Sequence, residues 1–442
     1  MRSPEPDANQ ATDMHIQTPN PAVHACLRGE SLFRVMRSLI ADELGRQRHL
    51  RVIPRAWRGW TRSTRLFLES ASRDGASQDS PEVDSIELLA VASRVGQFFH
   101  VDRGGFGPEA DHDGALVGAA TLGGWCDLVE RSGGASITVQ TSGSSGMPKP
   151  CTHAMEELRA EASEHARVLA MFHAEQVGEC AHERERRVVA LTPCHHIYGL
   201  MFGVLVPEAL GASVIERVGV EPSRVRRELR AGDLVVSHPA GWRLLVESTD
   251  ALPAIVAISS GAPLPAELHA GLVARGARVL DVYGCSELGG IGRRSEPGAA
   301  FELLGRWKSL PAEAPDQLCS AGERRFSVEG RRDGAVQVAG INVFPGEVAR
   351  VLREHPRVVD CVVRPMSPGE GDRLKAFIVA RDATPDEGEA SDQVDVALDE
   401  LRAELDAFAR ARLSTPQRPV SWTFGRVLPT TASGKPGDWR IT

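Results

Sequence analysis

The sequence predicts an α/β protein built on a largely parallel, doubly wound sheet, with a small α+β domain after it. Three observations carry this reading. Between residues 136 and 330, short apolar runs alternate with helical stretches: "RVVALTP", the apolar segment after Tyr198, "ASVIERV", "DLVVSHP", "AIVAISS" and "ARVLDVYG". Such alternation builds βα units with parallel strands. The turns that end these runs are small and polar (Thr192-Pro193, Ser259-Ser260-Gly261, Tyr283-Gly284), and ligands of open α/β sheets bind at strand carboxyl ends. From residue 333 the pattern changes to a hairpin, "AVQVAGINVFP", a short helix, "GEVARVLREHP", two strands, "VVDCVVRP" and "LKAFIVA", and a helix, "VALDELRAELDAFARARL".

Composition bounds the function classes. A chain of 442 residues holds two to four domains, and 42% hydrophobic with 25% charged residues is ordinary for a globular protein. The net charge of −8 argues against non-specific binding of nucleic acid. Eight scattered cysteines, none in a Cys-x-x-Cys pair, suit reduced thiols in a cytoplasmic protein rather than disulfides or zinc. The start, "MRSPEPDANQATDMHIQTPNP", is polar and lacks the apolar core of a signal peptide or anchor. The run "GLMFGVLVPEALGASVI" is broken by Pro207 and Glu208, so it reads as a buried helix and not as a membrane span.

Taken in order, residues 1–30 are expected to be disordered. Residues 31–130 form a mostly helical front, 131–332 the core domain and 333–442 the C-terminal domain. Ser31 is placed to cap a helix carrying Phe33, Met36, Leu39 and Ile40. Asp84-Ser85 opens a helix with Leu88, Ala92, Val95 and Phe99 on one face, and "TLGGWCDLVERSG" reads as another. Ser136–Val139 is a strand and His153–Ala170 a helix, with "QTSGSSGMPKPCTH" between them. A Gly/Ser-rich stretch is usually only a loop. It also fails the Walker pattern, because Lys149 follows Pro148 and Gly143 and Gly146 are three apart. Yet glycines admit backbone N–H groups to an anion, hydroxyls add donors and a lysine adds a point charge. The chain closes on a second Ser-Gly-Lys, in "LPTTASGKPGDWRIT".

Six stretches then stand in one order: "TSGSSGMPK", "LTPCHHIYG", "ISSGAPLP", "DVYGCSE", "GRRDGAVQVAGINVFPGEV" and "LPTTASGKPGDW". Together they resemble the acyl-adenylate-forming superfamily of acyl-CoA synthetases, peptide-synthetase adenylation domains and luciferases, over roughly residues 136–440. The resemblance implies an adenylate-forming enzyme fold with a large doubly wound domain and a small mobile C-terminal domain. It implies ATP and Mg2+ as cofactors, a carboxylic acid substrate, and CoA or phosphopantetheine as thiol acceptor. It assigns Thr141, Ser142, Gly143, Ser144, Ser145, Gly146 and Lys149 to the phosphates of ATP. Glu287 matches the magnesium ligand, and Ser286 stands where a threonine usually meets the α-phosphate. Tyr283, Gly284, Gly261 and Ala262 would border adenine, and Arg331 matches the ribose arginine. The usual ribose aspartate motif is degraded here, and Asp316 is the nearest candidate. Asp333 matches the hinge and Lys435 the catalytic lysine of adenylation. His196 would stand beside the reacting carboxylate, with Tyr198, His238, Ser259 and Ser260 lining the acyl pocket. For His238 a helix cap is an equally good reading.

The front end departs from the superfamily, which has a longer α/β region before the phosphate loop. Here that subdomain is reduced or replaced, and its helices resemble an acyl-carrier protein in which Ser85 would bear phosphopantetheine. Asp84-Ser85 also reads simply as a helix cap, and the short run before Ile137 leaves no tether for a swinging carrier. The short front and the "INVFP" and "GKPGDW" motifs resemble most the 4-coumarate–CoA-ligase-like AMP-ligases found with bacterial aryl-polyene and xanthomonadin pigment genes. That branch implies a hydroxybenzoate-type aromatic acid passed to a separate acyl carrier protein or CoA. Two alternatives stay open: an amine or other nitrogen acceptor, and an inactive adenylate-binding scaffold, against which the presence of both Lys435 and Glu287 argues.

Overall fold

The computed structural model describes residues 26–48, 55–66, 83–101, 121–140, 149–178, 185–332, 334–339, 341–367, 369–381, 391–429 and 439–441. Most of the segment expected to be disordered therefore lies outside the described residues. Three front helices come first: α1 (Gly29–Gln47), α2 (Ser85–Phe99) and α3 (Leu122–Ser132). Ser31 does not cap α1. The helix begins two residues earlier, because Glu130 of α3 accepts the Gly29 amide at 2.8 Å and supplies from outside what a capping hydroxyl would. α2 carries its own cap: Asp84 accepts the amides of Ile86 and Glu87, and Glu87 accepts the amide of Asp84. Leu88, Ala92, Val95 and Phe99 form its buried face as the periodicity predicts, and Ser85 is exposed at its first turn.

The stretch "QTSGSSGMPKPCTH" does not join a strand to a helix. β1 (Ser136–Gln140) pairs antiparallel with β2 (Pro150–Ala154), so the stretch spans a hairpin, and α4 (Met155–Val177) starts only after it. The β-branched run of β1 needs a partner strand, and it gets one in which Thr152 bonds Thr138 side chain to side chain at 2.7 Å. His153 is thus a strand residue, not the first residue of a helix.

The core sheet follows. β3 (Arg187–Ala190) leads into a continuous apolar helix made of α5 (Ile197–Leu200), a π turn over Met201–Leu205, and α6 (Val206–Leu210). Pro207 has no amide for the carbonyl four residues back. That carbonyl, of Gly203, instead accepts Arg34 of α1 at 2.9 Å. Next come β4 (Ser213–Glu216), α7 (Pro222–Glu228), β5 (Leu234–Ser237), α8 (Pro239–Glu247), β6 (Val256–Ser259), α9 (Ala266–Ala274) and β7 (Arg278–Cys285). β8 (Gly289–Arg294), β9 (Phe301–Leu303), β10 (Asp316–Ser320) and β11 (Arg325–Arg331) complete the sheet. Its order is β10-β11-β9-β8-β7-β6-β5-β3-β4. The expectation of a largely parallel sheet holds for β4 to β7, whereas β7 to β10 are joined antiparallel. Short turns after β7 and β8, such as Ser286-Glu287-Leu288, leave no room for a crossover helix.

Side chains of the parallel strands alternate between two cores. Val188, Leu234, Val236, Val256, Ile258 and Leu280 face the front helices, α4 and the helix of residues 197–210. Val189, Val235, Ala257 and Val279 face α7, α8 and α9. The front helices are in the first of these cores, not in one of their own.

The C-terminal portion opens with the hairpin β12 (Val336–Val338) and β13 (Ile341–Val343), then α10 (Pro345–Leu352). β14 (Val358–Pro365), β15 (Leu374–Ala380) and β16 (Pro419–Phe424) make a small sheet, with α11 (Ser391–Arg412) before its last strand. Lys375 on the central strand is fully buried. Its ammonium donates to Glu370 at 2.8 Å and to the carbonyl of Trp439, and lies 5.0 Å from the centroid of that indole. Trp439 also donates to Thr423 and packs edge-on against Phe377, while Ile441 donates its amide to Glu370. These bonds pin the chain end to the small sheet.

Because α1 shares the core of the sheet, Leu39→Ala should destabilise the whole chain by about 2–5 kcal/mol. Denaturation followed by tryptophan fluorescence and by circular dichroism should give coincident midpoints; an early transition confined to the front would contradict a shared core.

Candidate active site

A cavity of about 360 Å³ opens where the parallel strands end. β3 contributes Thr192 and Pro193 just past its end, β5 His238, β6 Ser260 and Gly261, and β7 Gly284 and Cys285. The strand ends converge there because the strands are buried on both faces, so polar chain first emerges at their tips. Asp316 and Arg331 enter from β10 and β11, where they sit opposite each other in register. Gln337, Ala339 and Asn342 of the C-terminal hairpin line it as well.

One end of the cavity is built around Asp316. Tyr283 donates its hydroxyl to Asp316 Oδ2 at 2.8 Å, and its ring packs on Phe301 and Phe326. Burial first, and then the Asp316 carboxylate, push the tyrosine hydroxyl well above its ordinary range. Asp316 Oδ1 is buried and has no partner among the described residues. A buried carboxylate oxygen left unpaired is costly, which makes it an acceptor waiting for a donor. Tyr283 itself does not line the cavity, nor does Ala262.

The other end is lined by His196, Ile197, Tyr198, Phe202 and His238. The hydroxyl of Tyr198 lies 2.8 Å from the carbonyl of Ser237 and 2.9 Å from that of Ile258, so its single proton is committed to the ends of β5 and β6. Its ring, not its hydroxyl, therefore shapes the pocket. His238 caps α8: its Nδ1 accepts the amide of Gly241 at 3.3 Å, which leaves the ring proton on Nε2. Cap and pocket wall are both its positions. Ser260 lines the cavity, whereas Ser259 is fully buried beside it and its hydroxyl has no partner among the described residues.

The histidine pair divides its work. His196 is exposed and opens onto the cavity. His195, which the sequence reading weighed only as half of a metal-binding histidine pair, is buried behind it with ring centroids 4.3 Å apart. The front helix α1 holds it: Ser38 Oγ is 2.8 Å from its Nδ1, and Asp42 lies 3.6 Å from its Nε2. Burial lowers the pKa of both histidines and raises that of Asp42, so each shifts toward its neutral form; Arg94 of α2 adds to the lowering of the histidines. Serine, histidine and aspartate in a row could suggest a hydrolytic relay, but Ser38 is 1% exposed and no substrate can reach it.

The turn after β7 carries Ser286 and Glu287, both on the cavity. Glu287 is exposed, and its charge raises the pKa of Cys151 on β2, as burial does more strongly. Cys285 also lines the cavity, and burial pushes its thiol up to about 12, so it is no nucleophile at neutral pH. Lys149 stands exposed just before β2. Thr141, Ser142, Gly143, Ser144, Ser145, Gly146, Asp333 and Lys435 lie outside the described residues. Glu161, Gln337 and Asn342 went unsingled in the sequence. Glu161 sits inside an amphipathic helix with nothing local to mark it, while the hairpin pair lies within a motif read only as a whole.

Cleft, hairpin and small sheet define a class of nucleotide-using ligase, and the comparisons with known proteins agree. The family model of AMP-binding enzymes matches residues 136–316, and that of the AMP-binding enzyme C-terminal domain matches residues 347–435. A 4-coumarate–CoA ligase of Rhodobacter capsulatus is 38% identical over 376 residues, covering 80% of this chain and 89% of that protein. Another, of Halorhodospira halophila, is 33% identical over 427 residues, covering 92% and 99%. A 3,4-dihydroxybenzoate–[aryl-carrier protein] ligase of Bacillus anthracis is 24% identical over 271 residues, covering 55% and 63%. The chain belongs to the AMP-binding enzyme family, and it is an AMP-forming ligase of the acyl-CoA synthetase kind. No helix among the described residues is long and apolar enough to cross a membrane.

His238 gives a test of the local geometry. Burial lowers its pKa, so below the ordinary imidazole value the unfolded chain takes up a proton that the folded chain refuses. Stability contributed this way is present at neutral pH and falls as pH drops through about 6.5. His238→Asn keeps a capping acceptor and should stay within about 0.5 kcal/mol at pH 7.5, with a flatter acid limb; His238→Ala should lose about 1 kcal/mol. Urea titrations at pH 5.5 and 7.5 read both.

Proposed function

We propose that this ligase condenses a short aromatic acid of the hydroxybenzoate type with ATP and passes the acyl group to the thiol of CoA or of a separate carrier protein. A carboxylate oxygen attacks the α-phosphorus and pyrophosphate leaves; the thiol sulfur then attacks the acyl carbon, gives up its proton, and AMP leaves. The observation that carries this reading is the single cavity that gathers Asp316, Arg331, Ser286 and Glu287 with His196 and His238. Asp316 Oδ1, buried and unpaired, fits a ribose hydroxyl, and Arg331 opposite it fits the same sugar or its phosphate.

Roles for the other residues follow from the charge the reaction builds. Thr141, Ser142, Ser144, Ser145 and Lys149 would cradle the β- and γ-phosphates, with Gly143 and Gly146 letting the backbone approach. Glu287 would hold magnesium: one exposed carboxylate, completed by phosphate oxygens and water, is an ordinary shell for that ion. When bound, the ion neutralises charge on the phosphate oxygens. Ser286 would donate to the α-phosphate, Gly261, Ala262, Tyr283 and Gly284 would flank adenine, and Lys435 would stabilise the transition state of adenylation. Asp333 would be the pivot on which the C-terminal hairpin and Lys435 exchange places.

Several features support a short aromatic acid. A cavity of about 360 Å³, to be shared by nucleotide and acid, favours a short acid over a long alkyl chain. The walls formed by Tyr198 and Phe202 suit a flat ring, and His196 and His238 suit polar substituents. The relatives are named for 4-coumarate and 3,4-dihydroxybenzoate, both aromatic acids. Ser85 is proposed to stay unmodified, since α2 is packed into the core of the sheet and cannot swing.

ATP–pyrophosphate exchange against benzoic, cinnamic and fatty acids should respond to the aromatic acids and not to long-chain ones. Lys435→Ala should slow exchange about 10²–10³-fold while leaving thioester formation from a supplied adenylate within a few fold. Failure of every acid with folded protein, or equal loss in both half-reactions, would count against the reading.

A further inference from the structure

The turn that carries Glu287 is held from two sides. Its descending limb is gripped by α4 and by the turn after β9. Both carboxylate oxygens of Glu161 accept the amide of Gly290, at 3.1 and 3.2 Å. Arg306 donates to the carbonyls of Leu288 and Gly290, and Trp307 donates to that of Gly290 at 2.9 Å. A side chain at Gly290 would meet Glu161 Oε1 at 2.5 Å, so the grip leaves no slack.

The ascending limb is held by His153. Its Nε2 lies 2.7 Å from the carbonyl of Ser286, which can only accept, so the ring proton is on Nε2 and the imidazole donates. His153 is 6% exposed and lies on β2, opposite Ile137 of β1. β2 begins immediately after Lys149. One short, part-buried hydrogen bond thus ties the β1–β2 hairpin to the backbone beside Glu287. With the roles proposed above, a metal–ATP complex would need both at once: phosphates on residues 141–149 and the ion at the carboxylate.

We propose that His153 is a positioning residue that registers the phosphate-loop hairpin against the Glu287 turn, so that capture of metal–ATP depends on it and binding of AMP does not. This rests on the roles proposed for Glu287 and for residues 141–149. AMP has no β- or γ-phosphate for the two elements to share, so their mutual register should not matter to it. Groups that orient a metal ligand from behind are typically worth about 10–100-fold in metal affinity or activity.

The test is equilibrium binding. Mn2+ serves as the probe, its binding with ATP followed by electron paramagnetic resonance, and AMP binding is measured without metal by calorimetry. His153→Ala should weaken Mn2+–ATP about 10–100-fold and leave AMP within twofold. His153→Gln, whose amide nitrogen can donate at similar reach, should recover much of the loss. Combined with Glu287→Gln, the His153→Ala effect should shrink, because two residues acting through one contact are not additive. Unchanged Mn2+–ATP binding in His153→Ala, or equal weakening of ATP and AMP, overturns the proposal, as does full additivity with Glu287→Gln. If Glu287→Gln alone leaves Mn2+–ATP unchanged, the role given to Glu287 fails instead.

Discussion

The constraint on which the rest depends is that β3, β5, β6 and β7 are buried on both faces. Successive residues such as Val188 and Val189, or Val235 and Val236, enter opposite cores, so no polar side chain can be placed along these strands without cost. Function is displaced to the strand ends, where Thr192, His238, Ser260 and Gly284 appear within a residue or two of the last sheet bond. The antiparallel strands β8 to β11 extend the same platform sideways. They supply Asp316 and Arg331 at a fixed register, a geometry that turns alone could not hold.

The front helices are part of this platform and of its polar chemistry. Arg34 takes the carbonyl that Pro207 strands, Arg37 pairs with Glu216 at the end of β4, and Ser38 and Asp42 address His195. A single face of α1 therefore supports the turn that presents His196. A reduced front can do this because one helix, laid against the helix of residues 197–210, offers a polar group at each turn that meets an exposed need of the sheet.

Much of this was legible in the sequence, for definable reasons. Alternating apolar runs located β3, β5, β6 and β7, and the helical period at Leu88, Ala92, Val95 and Phe99 located the buried face of α2. Of the candidate site, His196, Ser286, Glu287 and Arg331 come from ordered motifs and line one cavity, which His238, outside those motifs, and Asp316, with its degraded motif, line as well. What was missed depends on long-range pairing. Pro150–Ala154 looks like the lead-in to a helix until β1 claims it as a strand. The cap of α1 comes from Glu130, a hundred residues away, so no local pattern could expose the error at Ser31. Glu161, His153 and His195 contribute through backbone carbonyls, amides or buried neighbours, and such contacts leave no spacing to read.

The pinning of Trp439 has a consequence for the small sheet itself. Trp439 is tied to β15 through the Lys375 ammonium and to β16 through Thr423, so one residue late in the chain crosses two strands at once. In polymer terms, the entropy of bringing that residue back to the sheet is already spent in folding. The buried ammonium of Lys375 is the rivet of this closure: it joins Glu370, the central strand and the Trp439 carbonyl at one point.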